Sequence, residues 1–136
     1  MADKLTAKQR SENMRRIASK DTSPELIVRK LAHKLGYRFR LHRKDLPGKP
    51  DLVFPGKKKV IFVHGCFWHQ HNNPSCKIAR IPKSRTDYWI PKLQRNVERD
   101  KEHLRELKEL GWDCLIIWEC EVKDIDSLAK TLKNFL

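Results

Sequence analysis

The stretch that decides the fold is Val60-Ile-Phe-Val-His-Gly-Cys-Phe-Trp-His-Gln-His71, an apolar run that ends in imidazole, thiol and indole side chains. The run is typical of a buried strand that carries chemistry to a surface. Before it, Lys49-Pro-Asp-Leu-Val-Phe54 predicts a second strand that begins with a carboxylate, and Pro55-Gly56 is a turn signal. A hairpin of these two strands would bring Asp51 close to His64.

The composition favours a polyanionic partner. The chain has 136 residues, enough for one domain spanning 1–136 with a real core, and 30 Lys and Arg against 17 acids give a formal charge of +13. Nucleic acid is favoured over a membrane, because no apolar run approaches the roughly 20 residues that span a bilayer. The first residues lack the apolar core of a signal peptide, so we expect a cytosolic protein. A basic protein with no such partner is the alternative.

The first half of the chain predicts two helices and a strand. Residues 1–20 form a basic segment that either contacts DNA or packs as a solvated helix. A helix is predicted to start near Ser23, with Ser23 as its cap and Glu25 at the positive end of its dipole, and to stop at Gly36. The alternation of apolar and basic residues over 37–43 indicates a strand with one wet face.

The second half predicts a long helix, a strand and a final helix. The helix covers 88–110, where Pro91 starts or kinks it and Asp100 interrupts an apolar stripe that includes Leu110. The continuous apolar run 112–118 suits a central strand, and an amphipathic helix follows over 125–136. Helices alternating with strands predict an α/β fold, a mixed central sheet flanked by helices on both faces.

Three cysteines and one histidine have the spacing of a metal site. Cys66, His71 and Cys76 are separated by four residues each, and Cys120 arrives at the end of another predicted strand. Three thiolates and an imidazole match a closed tetrahedral structural zinc site. The alternative is a set of buried free cysteines beside a core histidine. Cys114, inside its strand, is predicted to be inert.

The Pro50-Asp51 pair followed by a strand resembles the core of the restriction-endonuclease-like nucleases, although Phe62-Val63-His64 stands where those enzymes carry E-x-K. A larger set of motifs closely resembles the very short patch repair endonucleases, which nick DNA at a T:G mismatch left by deamination of 5-methylcytosine. The set comprises Arg10-Ser-Glu-Asn-Met14, Pro50-Asp51, Phe62-Val-His-Gly-Cys-Phe-Trp-His69 with His71, Asn96-Val-Glu-Arg-Asp100 and Trp118-Glu-Cys120.

The resemblance implies roles for particular residues. Asp51 and the main-chain carbonyl of Val63 would hold catalytic Mg²⁺, with two ions expected. His69 would lie closest to the attacking water, with Glu25 orienting that water. The remaining site residues would contact water or the scissile phosphate; they are His64 and Asp100.

The resemblance also implies how the protein holds DNA. Phe67, Trp68 and Trp89 would insert between base pairs, with Met14 on the opposite, minor-groove side. For Trp89, burial in the core is an equal alternative.

These expectations combine into a Mg²⁺-dependent, strand-specific DNA endonuclease of the bacterial cytosol, acting as a monomer on duplex DNA with a T:G mismatch and working with repair-pathway proteins. Its restriction-endonuclease-like fold would be stapled by one structural Zn²⁺. Two alternatives stay open. One is a restriction-type endonuclease of the same fold that cleaves both strands, and the other is a zinc-stapled DNA-binding module without catalysis.

Overall fold

The computed structural model describes residues 22–136 except Pro74. The predicted basic segment 1–20, with Met14, lies outside this range. The helices are α1 (Ser23–Lys34), α2 (Thr86–Glu109) and α3 (Ile125–Phe135), and the strands are β1 (Arg40–Leu41), β2 (Leu52–Phe54), β3 (Lys59–His64) and β4 (Asp113–Trp118). Short 3₁₀ turns follow β2 at Pro55–Lys57 and β4 at Glu119–Lys123.

The four strands form one mixed sheet in the order β1-β2-β3-β4. The pairs β1–β2 and β2–β3 are antiparallel, and β3–β4 is parallel. In the predicted hairpin, Leu52 lies opposite Ile61 and Phe54 opposite Lys59. Pro55, at the start of the connection, has no N–H to donate to the sheet, and Lys58 adopts a left-handed φ of 52° as the chain reverses. The mixed α/β prediction is confirmed.

Helices cover both faces of this sheet. Ile61 and Leu52 face the helices α1 and α3, where they pack with Val28 and Leu132. Val60 and Phe62 point the other way and pack with Leu107 of α2. The alternation follows from the two-residue period of a strand, which sends successive side chains to opposite faces.

Several predicted details differ from the structure. The strand expected over 37–43 is only two residues long, because the chain leaves the extended conformation at His42, whose φ is 49°. Thr22 rather than Ser23 is the N-cap of α1, and its side chain makes no capping hydrogen bond. Leu110 is 54% exposed because α2 ends at Glu109 and Leu110 occupies its C-cap.

The prediction that residues 112–118 form a central strand is wrong. Among the described residues β4 lies at the end of the sheet, next to β3 only. Its apolar sequence has another cause: a strand in a parallel pair that is covered on both faces needs apolar side chains on both sides, wherever it stands in the sheet. Ile117, for example, is buried in the core shared with α1 and α3.

Pro91 does not start the long helix. It lies inside α2, which begins at Thr86, five residues earlier. None of the helices among residues 22–136 is both long and apolar enough to cross a membrane.

Candidate active site and metal centres

Two carboxylates meet at the entrance to the hairpin. Asp51 directly precedes β2, and the main-chain N–H of Val63 in β3 donates to its Oδ2 at 2.7 Å. Glu25, in the first turn of α1, is only 2% exposed. Burial of Asp51, together with a hydrogen bond to Glu25 and its charge, raises the pKa of Asp51 to about 8.

A divalent cation could take the place of the proton at this pair. Carboxylate oxygens are the donors that Mg²⁺ prefers, and a divalent ion would offset both the burial and the neighbouring Glu25 charge that raise the pKa of Asp51. The residues present therefore fit a magnesium site. Val63 reaches the pair through its amide nitrogen, whereas the predicted role of its carbonyl stays a prediction.

Two residues that the sequence analysis overlooked complete this side of the site. An Arg29 guanidinium nitrogen forms an ion pair with Glu25 Oε2 and lies 2.8 Å from His42 Nε2. His42 Nδ1 in turn lies 3.9 Å from Asp51 Oδ1. The pairing of β1 with β2 places His42 here: Leu41 lies opposite Leu52, so the next residues outward on the two strands are His42 and Asp51. No local sequence pattern points to this pairing.

A second group of ionisable side chains faces the same space. His69 Nδ1 lies 2.6 Å from Asp100 Oδ2, and the rings of His64 and His69 stack with centroids 3.8 Å apart. A carboxylate only accepts, so Nδ1 of His69 carries a proton, and in the neutral ring Nε2 is the nitrogen that can act as a base. The Asp100 that interrupts the stripe of α2 thus has a partner, as an inward carboxylate requires.

His64 supports this pair as a neutral ring. It is 5% exposed, and burial together with the neighbouring His69 lowers its pKa to about 4. An uncharged imidazole stacks on His69 without adding a second positive charge when His69 takes up a proton.

Both groups line one cleft of about 1020 Å³. The predicted residues Glu25, Asp51, His64, His69 and Asp100 all border it. Lys44, Lys49 and His103 also border it, and their positive or titratable side chains suit the phosphate backbone of a nucleic acid.

The cysteine–histidine cluster lies at the adjoining end of the sheet. One ligand atom each from Cys66, His71, Cys76 and Cys120 lies within 4.8 Å of the others. His71 Nδ1 is 3.4 Å from the Cys120 sulfur and 3.8 Å from the Cys66 sulfur. Three sulfurs and one imidazole nitrogen at these distances fit a tetrahedral zinc site with no open position.

Cys114 stands apart from the cluster. It lies in β4, and burial raises the pKa of its thiol to about 11, which suits the unreactive role predicted for it. Burial also raises the pKa of Cys66, to about 12, so a cation is needed to hold that sulfur as a thiolate at neutral pH.

Trp118, at the end of β4, lies between the cluster and the cleft. Its ring stacks on His71 with centroids 4.3 Å apart and meets the edge of His64 at 5.3 Å. Glu119, the next residue, accepts a hydrogen bond from the Cys66 amide at 3.3 Å. The parallel pairing of His64 with Trp118 creates this arrangement, because it brings both strand ends to the same edge.

An aromatic cluster adjoins the cleft at Trp68. Phe67 and Trp68 pack edge to face at 5.1 Å, and each also contacts Trp89 of α2. Tyr88, 45% exposed, extends the cluster, and the Lys92 ammonium lies 5.6 Å from the Trp68 ring. Trp89 is half-buried against these rings rather than in either core of the sheet.

The comparisons with known proteins agree on one family. Residues 2–75 match the family model described as DNA mismatch endonuclease Vsr. The chain is 49% identical over its full length to 98% of the type II nicking enzyme V.XorIIP of Xanthomonas oryzae pv. oryzae. Over 95% of its length it is 43% identical to 81% of the DNA mismatch endonuclease Vsr of Escherichia coli, and 91% of it is 44% identical to 86% of the type II nicking enzyme V.NmeAIP of Neisseria meningitidis.

These matches define an enzyme class, the DNA endonucleases, which hydrolyse phosphodiester bonds. Within that class, the chain belongs to the family of the DNA mismatch endonuclease Vsr. Its substrate is DNA, and the predicted family resemblance is confirmed.

Proposed function

We propose that this mismatch endonuclease nicks one strand of duplex DNA beside a T:G mismatch, with Mg²⁺ as its catalytic ion. The observation that carries the proposal is the meeting of the Asp51–Glu25 carboxylates with the His69–Asp100 pair in one cleft. Cleavage of a single strand draws support from the relatives V.XorIIP and V.NmeAIP, which are named nicking enzymes.

Asp51 and the Val63 carbonyl would hold the ion, with Glu25 beside them. When bound, Mg²⁺ would lower the pKa of a water and neutralise charge on the scissile phosphate, and a second ion would extend this to the leaving oxygen. The protein supplies the positioning: the Val63 amide fixes Asp51, and Arg29 holds Glu25 in the wall of the cleft. Glu25, held in this way, would orient the attacking water.

His69 would take the proton of that water on its Nε2. Asp100 holds the Nδ1 proton, so it fixes the tautomer and stabilises the imidazolium that forms. The stacked, uncharged His64 packs against the ring of His69, and both line the cleft in which the scissile phosphate would bind. An activated water and a neutralised phosphate are the two requirements of phosphodiester hydrolysis.

Selection of the mismatch is assigned to the aromatic cluster. Apolar wedges unstack a base step at a cost that is least where the bases are already mispaired. Phe67, Trp68 and Trp89, which contact one another, would form such a wedge. Asn96 donates to the Trp68 carbonyl at 3.1 Å and so fixes its main chain. The proposed contact of Met14 from the minor groove would complete it.

The remaining expectations extend this proposal. Zn²⁺ held by Cys66, His71, Cys76 and Cys120 would tie the loop after β3 to the end of β4, on a restriction-endonuclease-like fold. The whole of 1–136 would act as one domain and as a monomer, followed by repair-pathway proteins that restore the nicked strand.

A nicking assay tests the proposal. Duplexes that differ only in a T:G or C:G pair, with each strand labelled separately, are incubated with the enzyme and Mg²⁺. We expect one labelled strand of the T:G duplex to be cut and the C:G duplex to stay intact. Asp51→Asn should bind the T:G duplex and leave it uncut, whereas Asp126→Asn, at an exposed carboxylate of α3, should cut as the parent does.

Each alternative predicts a different result. Cleavage of both strands, or of matched duplex, would indicate a restriction-type enzyme. Binding without any cleavage by the parent protein would indicate a DNA-binding module. Nicking by Asp51→Asn at the parent rate would remove Asp51 from the metal site.

A further inference from the structure

His42 occupies the place of an additional metal ligand. One ligand atom each from Glu25, His42 and Asp51 lies within 4.8 Å of the others, a grouping separate from the cysteine–histidine cluster. His42 Nδ1 and Asp51 Oδ1 are 3.9 Å apart. An imidazole nitrogen and a carboxylate oxygen are both ligand types for divalent ions, so this pair could hold one together.

The backbone places His42 there at a cost. Its φ of 49° lies in the left-handed region, which residues other than glycine seldom adopt. The His42 amide still donates to the Asp51 carbonyl at 3.4 Å, so the residue stays beside Asp51 although the strand has ended.

The second ring nitrogen lies near a carboxylate that could accept its proton in a metal-bound histidine. Ligating imidazoles donate their other N–H to a carboxylate, which orients the ring. His42 Nε2 lies 3.3 Å from Glu25 Oε2, and Arg29 forms an ion pair with the same carboxylate oxygen. The 2.8 Å contact between Arg29 and Nε2 puts the ring proton on Nδ1 in the ion-free protein, because a guanidinium only donates.

We propose that His42 is a protein ligand of the catalytic ion, through Nδ1, and that it shifts the site's preference from Mg²⁺ toward Mn²⁺. This inference rests on the proposed metal site at Asp51. Ion binding would require the ring proton to lie on Nε2, donated to Glu25, and the Arg29 nitrogen, which can only donate, would have to turn away from Nε2 while it stays paired with the carboxylate. Imidazole nitrogen suits transition metals, whereas Mg²⁺ favours oxygen, so the added nitrogen ligand favours Mn²⁺.

Electron spin echo spectroscopy of the Mn²⁺-loaded full chain tests the assignment, because it detects an imidazole ¹⁴N bonded directly to the ion. We expect this coupling in the parent protein and its loss in His42→Asn, since asparagine tolerates the left-handed backbone of residue 42. His103→Asn, at another histidine of the same cleft, is the matched control and should keep the coupling. The ratio of Mn²⁺ to Mg²⁺ affinity should fall about tenfold in His42→Asn.

Bound Mn²⁺ without imidazole coupling in the parent, or coupling unchanged in His42→Asn, would overturn the assignment of His42. The proposed function would survive that result if Asp51→Asn still abolished nicking. If His42→Asn did not fold, long-range ¹⁵N spectra of the parent would decide: Mg²⁺ should convert Nδ1 of His42 to the unprotonated nitrogen, and an unchanged tautomer would refute the assignment. A parent protein that binds no divalent ion and nicks without one would overturn both the ligand and the magnesium mechanism.

Discussion

Replacing Asp51 by asparagine should stabilise the ion-free protein while it abolishes nicking. In the folded state the pKa of Asp51 is raised from 3.8 to about 8 by burial and by Glu25. Asparagine carries no charge, its oxygen can still accept from the Val63 amide, and its NH₂ group can donate to Glu25. The variant therefore keeps the local hydrogen bonds and loses the repulsion.

The size of the gain follows from the pKa shift. A folded-state pKa above the unfolded value means that the folded protein binds the proton more tightly, so stability falls as pH rises from about 4 to about 8. At pH 7, which lies roughly three units above the unfolded pKa of 3.8, keeping Asp51 ionised in the folded protein costs at most about 4 kcal/mol, at 1.36 kcal/mol per unit. We expect Asp51→Asn to recover a few kcal/mol of this at pH 7 and almost nothing at pH 4.

Urea unfolding at a series of pH values measures the effect. Buffers should lack Mg²⁺ and also lack chelators, which would strip the cysteine–histidine cluster. Asp126→Asn, at an exposed carboxylate, serves as the control and should show no pH-dependent gain. Mg²⁺ at ten times its Kd should add about 1.4 kcal/mol to the parent and nothing to Asp51→Asn. An Asp51→Asn variant that is no more stable than the parent, or whose gain is the same at pH 4 and pH 7, would refute the reasoning.

Three further predictions concern the other parts of the site. Cys120→Ser should lower both the bound zinc, measured by metal analysis, and the Tm, whereas Cys114→Ser should keep one zinc per chain. A parent protein that binds no zinc would contradict the proposed structural zinc site. Trp68→Ala should reduce the preference for T:G over C:G duplex roughly tenfold, measured by fluorescence anisotropy, because stacking on an aromatic ring is worth about 1–3 kcal/mol per base. Equal binding of both duplexes by the parent protein would contradict the proposed insertion of the aromatic cluster at the mismatch. Asp100→Asn should slow single-turnover nicking about 10²- to 10⁴-fold with DNA affinity kept, because His69 loses the carboxylate that fixes its tautomer, and an unchanged rate would exclude this role.

The position of Trp118 explains why the zinc cluster and the cleft are expected to depend on each other. Its ring touches His71 on one side and His64 on the other. Loss of the cluster would release His71 from its position against Trp118. Trp118 would then support His64, which stacks on His69, less firmly.

The local features of this protein were readable from its sequence. The period of apolar residues predicts the helices and the hairpin, the turn at Pro55-Gly56 joins Asp51 to the strand of His64, and the spacing of Cys66, His71 and Cys76 indicates a metal cluster. These signals depend on neighbours within a few residues along the chain, so no tertiary information is needed to read them.

Only the tertiary structure decided which distant side chains meet. The register of β1 against β2 puts His42 beside Asp51, and the packing of α1 brings Arg29 and Glu25 to the same point. The parallel pairing of β3 with β4 sets Trp118 next to His64 and places β4 at the end of the sheet. Strand register and helix packing depend on how the whole core fills space, which a local sequence pattern does not encode.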